Sequence, residues 1–389
     1  KFVVYILVKI NLGRYILDEL NKNIIKKKEI IIYKDLKLIF YAPNRISYYR
    51  VNTFHTKEPE TLEWIDKFKK KTTFWDIGAN IGLYSCYAAK KNLCKVYAFE
   101  PSIFNLEWLR RNIFLNNLVE KIAFTGGPDT ARHIIKNSAE NLSQVSLELG
   151  GKSPVAVFED ADQENALNGI TAGIFGASGQ SCIAGSRLYL QKKIYDNFLD
   201  KLIERANKIK LGSPLDPDTQ MGPLSNFKQL EIIEKKIKLT VEQGGKLRCG
   251  GKRHALSNKG YYFPATIIEC ENHNLPTAEN ELFGPVLSVM KFETEAEAVN
   301  KMNDNQYGLS SGVYTKDIGK ALRVSKAIRA GIVFVNTYRL ISPSAPFGGL
   351  KDSGYGKEAG LESIKDYTRI KTTWFNASEK PMADPFTMG

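Results

Sequence analysis

The stretch FGASGQSC, residues 175–182, governs the interpretation of the chain, together with LELGG, residues 147–151. The first stretch ends in the thiol of Cys182 and the second contains the carboxylate of Glu148. Each is a glycine-lined turn that follows an apolar run. Turns of this kind can bring a nucleophile and its base together. Cys182 and Glu148 are therefore a candidate catalytic pair; a small buried thiol and a capping or ion-paired carboxylate are the structural alternatives.

Composition limits the class of protein. With 389 residues, 43% of them hydrophobic and 25% charged, the chain is globular and long enough for two domains or one large α/β unit. Its five cysteines are too sparse to staple a domain and form no CxxC pair, and its four histidines lack the spacing of metal ligands. We expect a reducing, cytoplasmic environment and no metal site.

Positive charge is concentrated in the first third of the chain. Residues 1–122 carry 22 Lys and Arg against 12 Asp and Glu, and so account for +10 of the net charge of +13. The lysine runs at 26–28 and 69–71 lack interleaved aromatic residues and are typical of solvated faces. The apolar start, residues 1–10, is interrupted by Lys9 and is shorter than the roughly 20 residues that span a bilayer. We expect neither a nucleic-acid partner nor a membrane span.

Alternating strand and helix patterns predict an α/β protein. The C-terminal stretch 365–374 predicts a strand suited to pairing across subunits. The other predicted strands lie at 29–33, 36–41, 72–76, 95–100, 121–125 and 145–148, and the clearest predicted helices at 102–117 and 163–175.

Two acids end neighbouring strands of a predicted βαβ unit. Asp76 ends the first strand, a turn with Gly78, Asn80 and Gly82 opens the helix, and Glu100 ends the second strand. Glycines in such a turn let a nucleotide-like ligand approach the backbone N–H groups of the helix start. Glu100 could accept hydrogen bonds from both ribose hydroxyls. An ordinary βα turn is the alternative.

This region resembles S-adenosylmethionine-dependent methyltransferases of the FkbM type over residues 40–122. The resemblance is carried by KEPET (57–61), FWDIGANIGLYS (74–85), AFEPS (98–102) and NIFLNN (112–117). The segments that the family places after its third strand are not found in the chain. The resemblance implies bound S-adenosylmethionine, with Glu100 at its ribose and Asp76, Gly78, Asn80 and Gly82 at its methionine end.

From Ala123 onward the chain resembles the C-terminal half of the aldehyde dehydrogenase superfamily. Five motifs occur in the expected order: FTGG (124–127), LELGGKSP (147–154), GQSCIAGSR (179–187), ELFGPV (281–286) and PFGG (346–349). The resemblance implies oxidation of a small aldehyde to an acid with NAD or NADP. Cys182 would form a thiohemiacetal and then a thioester, and Glu148 would deprotonate the water that releases the acid. Contacts to the cofactor are implied for Gly126, Gly127, Leu149, Glu281 and Phe283.

Two departures from that family bear on activity. Ala131 stands where the phosphate-binding turn usually has its second glycine. The N-terminal half of the family, which supplies most of the cofactor-domain sheet, an amide of the oxyanion hole and a ribose-binding lysine, has no counterpart here. These departures imply an incomplete cofactor site and reduced activity.

Together the resemblances predict four segments. They are a methyltransferase-like fragment at 1–122, a remnant of the dehydrogenase cofactor domain at 123–149, a dehydrogenase catalytic domain at 150–349 and a C-terminal oligomerisation segment at 350–389. The junction falls at 119–123. The predicted fold is a parallel Rossmann-like sheet, a hybrid of methyltransferase and dehydrogenase strands, followed by an α/β aldehyde dehydrogenase catalytic domain.

Three functions stay open: an aldehyde dehydrogenase, active or crippled, a methyltransferase, and a non-catalytic subunit of a homo-oligomer. For the first, residues 336–339 and 342–344 are expected to approach the aldehyde, and Arg339 favours a carboxylated substrate only weakly.

Overall fold

The computed structural model describes residues 19, 27–116, 118, 121–139, 142–254, 260–368, 370–377 and 386. The apolar start at 1–10 and positions 119 and 120 of the junction lie outside these residues. The chain divides into two compact units. The first unit comprises Lys1–Ile122 and Lys136–Gln144, and the second comprises Ala123–Ile135 and Val145–Gly389.

The first unit begins with a hairpin. Strands β1 (Lys28–Tyr33) and β2 (Leu36–Tyr41) pair antiparallel from Lys28 opposite Tyr41 to Tyr33 opposite Leu36. Lys34 makes the turn with a left-handed φ of 53°. Helices α1 (Arg45–Asn52) and α2 (Pro59–Asp66) follow. Both predicted strands are confirmed.

A βαβ unit completes the first unit. It consists of β3 (Thr73–Ile77), α3 (Leu83–Asn92) and the parallel strand β4 (Lys95–Phe99), followed by α4 (Ile103–Leu115). Helix α4 begins at Ile103 because the Ser102 side chain accepts a hydrogen bond from the Asn105 N–H. The predicted βαβ pattern is confirmed.

The β3–β4 pair is covered on one face only. Phe74 on β3 is buried in the core with Cys86 and Tyr87 of α3. The opposite face exposes Trp75, Ile77, Tyr97 and Phe99, with Trp75 stacked on Phe99 at a centroid distance of 5.5 Å.

The described part of the second unit contains the helices α5 (Pro128–Ser138), α6 (Gln163–Phe175), α7 (Tyr195–Lys208), α8 (Phe227–Glu242), α9 (Pro276–Glu279), α10 (Glu295–Asn303) and α11 (Ile318–Ala327). Its strands are β5 (Lys121–Gly126), β6 (Gln144–Leu149), β7 (Pro154–Val157), β8 (Arg187–Gln191), β9 (Lys246–Cys249), β10 (Thr266–Glu269), β11 (Val286–Phe292), β12 (Tyr307–Gly308), β13 (Ser310–Tyr314), β14 (Ile332–Val335) and β15 (Leu350–Lys351); β5, α5 and β6 each extend into the first unit.

Among the described residues, seven of these strands form one sheet with the order β14-β13-β7-β8-β11-β10-β9. Within it β9 runs antiparallel to β10, and the other neighbours are parallel.

Both faces of this sheet are buried, which explains its nearly continuous apolar strands. Leu188 and Leu190 of β8 pack with residues of α6 and α7, whereas Tyr189, which points the other way, packs with residues of α8, α10 and α11. Helix α6 matches its predicted bounds and starts where Asp162 accepts a hydrogen bond from the Asn165 N–H.

Two predictions about strands need revision. In the part of the chain that the structure describes, β3–β4 and β5–β6 are separate two-stranded sheets, so a hybrid sheet across the junction is not confirmed. The predicted strand at 365–374 is not formed within one chain: Leu361–Tyr367 is a 3₁₀ helix, and the backbone at 370–374 pairs with no strand of the described residues. Pairing of this segment across subunits stays a prediction.

Among the described residues, no helix combines the length and apolar character needed to cross a bilayer.

Candidate active site

The thiol turn, residues 176–186, connects the end of α6 to the start of β8. Ala177, Ser178 and Gly179 all have left-handed φ values, between 54° and 68°. Such a run costs conformational energy and persists only when its surroundings hold it. The Ser178 hydroxyl donates to the Gly222 carbonyl at 3.0 Å, and the Gln180 amide pairs with Ser225 in both directions. These hydrogen bonds fix the backbone before Cys182 to the segment that connects α7 to α8.

Cys182 is half-buried in this turn. Burial raises the pKa of its thiol, and the Ile183 backbone N–H opposes this shift by favouring the thiolate. All five cysteines of the chain are free thiols.

The carboxylate turn, residues 148–153, leads from β6 to β7. Glu148 is 5% exposed, and neither of its carboxylate oxygens has a hydrogen-bond partner among the described residues. Burial, with a contribution from the nearby Glu358, raises its pKa to about 7. The side chain can therefore take up and release a proton near neutral pH, as a general base must.

The two turns meet because the strands that follow them are neighbours. Pro154 at the start of β7 pairs with Arg187 at the start of β8. At the point of contact, a Cβ on Gly151 would lie 2.7 Å from the Cys182 carbonyl oxygen, so only glycine fits. The carboxylate turn thus contacts the thiol turn, and the Glu148 charge is among the groups that raise the pKa of the Cys182 thiol.

Glu281 joins the carboxylate turn from another part of the chain. Its carboxylate accepts a hydrogen bond from the Gly151 N–H at 3.1 Å, and burial raises its pKa. Leu149 is buried at the end of β6 and donates its N–H to the Ser353 carbonyl at 2.9 Å. Phe283 has a left-handed φ of 47° and leaves 40% of its surface exposed.

The other predicted cofactor residues lie at a different turn. Gly126 ends β5 and Gly127 precedes α5, and the backbone of both is exposed. Ala131 is 1% exposed and packs with Leu147 and Leu149 in a small core of its own. This position is therefore a packing site in α5.

Arg187 is a structural residue that the sequence pattern did not single out. Its guanidinium is 1% exposed and donates to the carbonyls of Lys152 at 2.8 Å and Met302 at 3.0 Å, and to the Tyr189 hydroxyl. It links the carboxylate turn to the C-terminal end of α10 from the first residue of β8. The signal was an arginine opening an otherwise apolar strand, since such a charge is buried only when it is well bonded.

Residues 336–339 lie close to the thiol turn. The Tyr338 hydroxyl donates to the Ile183 carbonyl at 3.0 Å, and Arg339 donates to the Ala172 carbonyl near the end of α6 at 3.2 Å. The Arg339 guanidinium is therefore already used in part as a helix cap.

The first unit gathers its own predicted residues at the C-terminal ends of β3 and β4. Glu100 accepts hydrogen bonds from the N–H groups of Asn80 at 2.7 Å and Ser102 at 2.8 Å. Burial opposes its ionisation, but these bonds outweigh burial and lower its pKa. Asp76 accepts from the Ser85 hydroxyl, and burial raises its pKa.

A cavity of about 220 Å³ adjoins this turn and is lined by residues that include Gly78, Asn80, Glu58 and Tyr84. Gly82 lies just before α3 with φ 86°. The predicted residues of this region are thus close together. The Glu100 carboxylate, however, already accepts hydrogen bonds from backbone N–H groups of the protein, those of Asn80 and Ser102.

Comparison with known proteins assigns about two thirds of the chain, beginning at residue 109. The profile of the aldehyde dehydrogenase family matches residues 109–373. The chain belongs to the aldehyde dehydrogenase family. It is 53% identical to a (Z)-2-((N-methylformamido)methylene)-5-hydroxybutyrolactone dehydrogenase of Acinetobacter baylyi, over 69% of this chain and 55% of that protein. It is 42% identical to aldehyde dehydrogenase 1A1 of Oryctolagus cuniculus, over 67% and 53%.

Solved structures of aldehyde dehydrogenases have the same fold. PnpE in complex with nicotinamide adenine dinucleotide matches with a TM-score of 0.70 and 33% identity, over 82% of this chain and 72% of that one. Betaine aldehyde dehydrogenase of Staphylococcus aureus in complex with NAD+ matches with a TM-score of 0.65 and 31% identity, over 82% and 74%. The chain spans about half the length of the curated relatives it matches.

Burial of the Glu148 carboxyl should make the stability of the fold depend on pH. The folded-state pKa of Glu148 is raised from 4.5 to about 7, so the folded state holds this proton more tightly than the unfolded state does. The resulting contribution to the free energy of unfolding is complete below pH 4.5 and is lost as the pH rises through about 7. Glu148→Gln, which stays neutral, should gain stability relative to the unmodified protein between pH 5 and 8. Urea unfolding followed by circular dichroism at several pH values measures the difference. The exposed Glu271→Gln is the control, and parallel pH curves for Glu148→Gln and the unmodified protein would contradict the burial argument.

Proposed function

We propose that the second unit carries the chemistry of an NAD(P)-dependent aldehyde dehydrogenase, with Cys182 as nucleophile and Glu148 as general base. One observation carries the proposal. A buried carboxyl whose pKa is about 7 lies on the turn that touches the residue bearing the thiol. Placing an uncompensated carboxyl in the interior is costly, and a role in proton transfer gives a reason to retain it.

The reaction follows from these two groups. The Cys182 thiolate adds to the aldehyde carbonyl, and its own backbone N–H is available to stabilise the oxyanion. Loss of hydride converts the adduct to a thioester bound to Cys182. Glu148 then removes a proton from a water molecule, the hydroxide attacks the thioester, and the acid leaves as the thiolate is restored. The sum is aldehyde, water and oxidised cofactor to acid, reduced cofactor and a proton.

Nicotinamide cofactor would supply the hydride acceptor. The chain offers residues that suit it: the Glu281 carboxylate beside the two turns for the nicotinamide ribose, and the partly exposed Phe283 ring to back the nicotinamide. Leu149 and the exposed turn at Gly126 and Gly127 are the further proposed contacts. The chain spans about half the length of its curated relatives, and we propose that this half still binds the cofactor.

Kinetics of two variants test the catalytic pair. With NAD+ or NADP+ and an aldehyde, Cys182→Ala should abolish formation of reduced cofactor. Glu148→Gln should retain a burst of no more than one reduced cofactor per chain and lose steady turnover by about 10²–10⁴-fold, because the thioester forms but is not hydrolysed. Stopped-flow absorbance measures both phases.

The exposed Glu271→Gln should behave like the unmodified protein in this assay. Aldehyde-dependent turnover that survives in Cys182→Ala would overturn the proposed nucleophile. Absence of any aldehyde-dependent reduced cofactor from the unmodified protein would show that this chain lacks the activity.

We also propose that the chain joins a methyltransferase-like fragment at 1–122 to a dehydrogenase cofactor-domain remnant at 123–149, a catalytic domain at 150–349 and a C-terminal segment at 350–389. The exposed face of the β3–β4 pair supports a fragment, because parallel sheets are normally covered on both faces. Trp75 and Ile77 on that face are 61% and 79% exposed.

The second candidate function is binding of S-adenosylmethionine in the first unit. The cavity beside Gly78 and Asn80, with Glu100 and Asp76 at the same strand ends, favours it. Calorimetry with S-adenosylmethionine should give heat that Glu100→Ala weakens, because the variant loses the bonds that close the turn. Glu107→Ala on α4, whose carboxylate pairs with Arg110 and Arg111, is the control, and absence of heat with the unmodified protein would remove this candidate.

We propose that the protein works in a reducing compartment, the cytoplasm, where its five free thiols would persist.

The third proposal is that the protein forms a homo-oligomer through its C-terminal segment. Ile370, Trp374 and Phe375 are at least 88% exposed, which is unusual for large apolar side chains. Multi-angle light scattering should give more than one chain per particle, and Trp374→Ser with Phe375→Ser should lower that number. A monomer at micromolar concentration would contradict the proposal.

A further inference from the structure

A cluster of hydroxyl groups connects the thiol turn to the carboxylate turn and takes no part in the proposed reaction. It consists of Tyr338, Ser310 and Ser153. The Ser310 hydroxyl donates to Ser153 Oγ at 2.9 Å and lies 3.3 Å from the Tyr338 hydroxyl, which donates to the Ile183 carbonyl at 3.0 Å. Both serines are at most 1% exposed. The cluster therefore connects the last residue of the carboxylate turn to the residue that follows Cys182.

The Tyr338 ring occupies a slot lined by glycines from three elements. A Cβ on Gly173 of α6, on Gly185 of the thiol turn or on Gly312 of β13 would lie 2.8 to 3.2 Å from an atom of this ring. Phe334 packs against it at a centroid distance of 4.9 Å. The ring cannot move without displacing these backbones, so its hydroxyl is held in one place.

The hydroxyl has one clear structural task. The Ile183 side chain is 2% exposed, and its carbonyl is satisfied chiefly by Tyr338, with Ser310 at 3.5 Å. A buried carbonyl that loses its donor either pays a desolvation cost or moves toward water. Movement of this carbonyl changes the turn that carries the adjacent Cys182.

We propose that Tyr338 is a positioning residue, which through Ser310 and Ser153 fixes the thiol turn against the carboxylate turn and keeps the Cys182 thiol half-buried. The inference rests on the proposed function of Cys182 as nucleophile. It goes beyond that function because Tyr338 touches neither the thiol sulfur nor the Glu148 carboxylate in the contacts described above. Its effect is carried by the backbone of Ile183.

Removal of the hydroxyl should therefore expose Cys182 selectively. Tyr338→Phe keeps the ring in its slot. Cys182 should react with iodoacetamide about three to ten times faster at a fixed pH, as expected for the loss of one buried hydrogen bond. The pH midpoint of labelling should fall, because burial is what raises the pKa of this thiol. Peptide mass spectrometry of the intact chain follows each cysteine separately.

The chain contains a matched control. Tyr314 on β13 is 1% exposed, and its hydroxyl has no hydrogen-bond partner among the described residues. Tyr314→Phe removes the same group from another buried tyrosine and should leave the labelling rate and midpoint of Cys182 unchanged. Ser310→Ala, which breaks the cluster without altering the ring, should accelerate labelling in the same direction as Tyr338→Phe but by less.

Three results would overturn the inference. They are an unchanged Cys182 rate and midpoint in both Tyr338→Phe and Ser310→Ala, an equal acceleration at the buried Cys86 and Cys270, which indicates general loosening, and an equal effect of Tyr314→Phe. Labelling requires neither aldehyde nor cofactor. A selective change at Cys182 in a protein without dehydrogenase activity would support the positioning role and count against the proposed function, so the two can fail separately.

Discussion

The parallel pairing of β7 with β8 is the constraint on which the rest of the site depends. Pro154 and Arg187 are opposite each other in this ladder, and the carboxylate and thiol turns end at those two residues. Neighbouring parallel strands start at the same edge of a sheet, so the turns that precede them must share one small volume. They can share it because Gly151 has no side chain where the Cys182 carbonyl approaches.

The chemistry of the site follows from that crowding. Glu148 is buried by its neighbours and therefore resists ionisation, which gives a carboxyl the pKa of a useful base near neutral pH. Cys182 is half-buried for the same reason. Arg187 bonds to the carboxylate turn at the Lys152 carbonyl, and Tyr338 bonds to the thiol turn at the Ile183 carbonyl. Both bond to backbone atoms, which transmit position more rigidly than flexible side chains do.

The two units differ in how completely they bury their sheets. The seven-stranded sheet of the second unit has helices on both faces and two large clusters of buried residues. The β3–β4 pair of the first unit has one such face and leaves Trp75, Tyr97 and Phe99 exposed on the other. A covered sheet can hold turns in a fixed geometry, whereas a half-covered pair has lost part of the packing energy that a parallel sheet normally gains.

Local periodicity and the short motifs around Cys182 and Glu148 were enough to predict the family, the βαβ unit and the bounds of α6, and to select this thiol and this carboxylate as candidates. The sequence did not predict the 3₁₀ helix at Leu361–Tyr367, since β-forming residues such as Tyr367, Ile370 and Trp374 form a strand only where a partner strand is present. Only the tertiary structure decided that Glu281 lies against Gly151, that Ala131 belongs to a small core, and that Arg187 and Tyr338 anchor the turns. These contacts join residues far apart in the chain, and their energies depend on burial and distance, which no local pattern specifies.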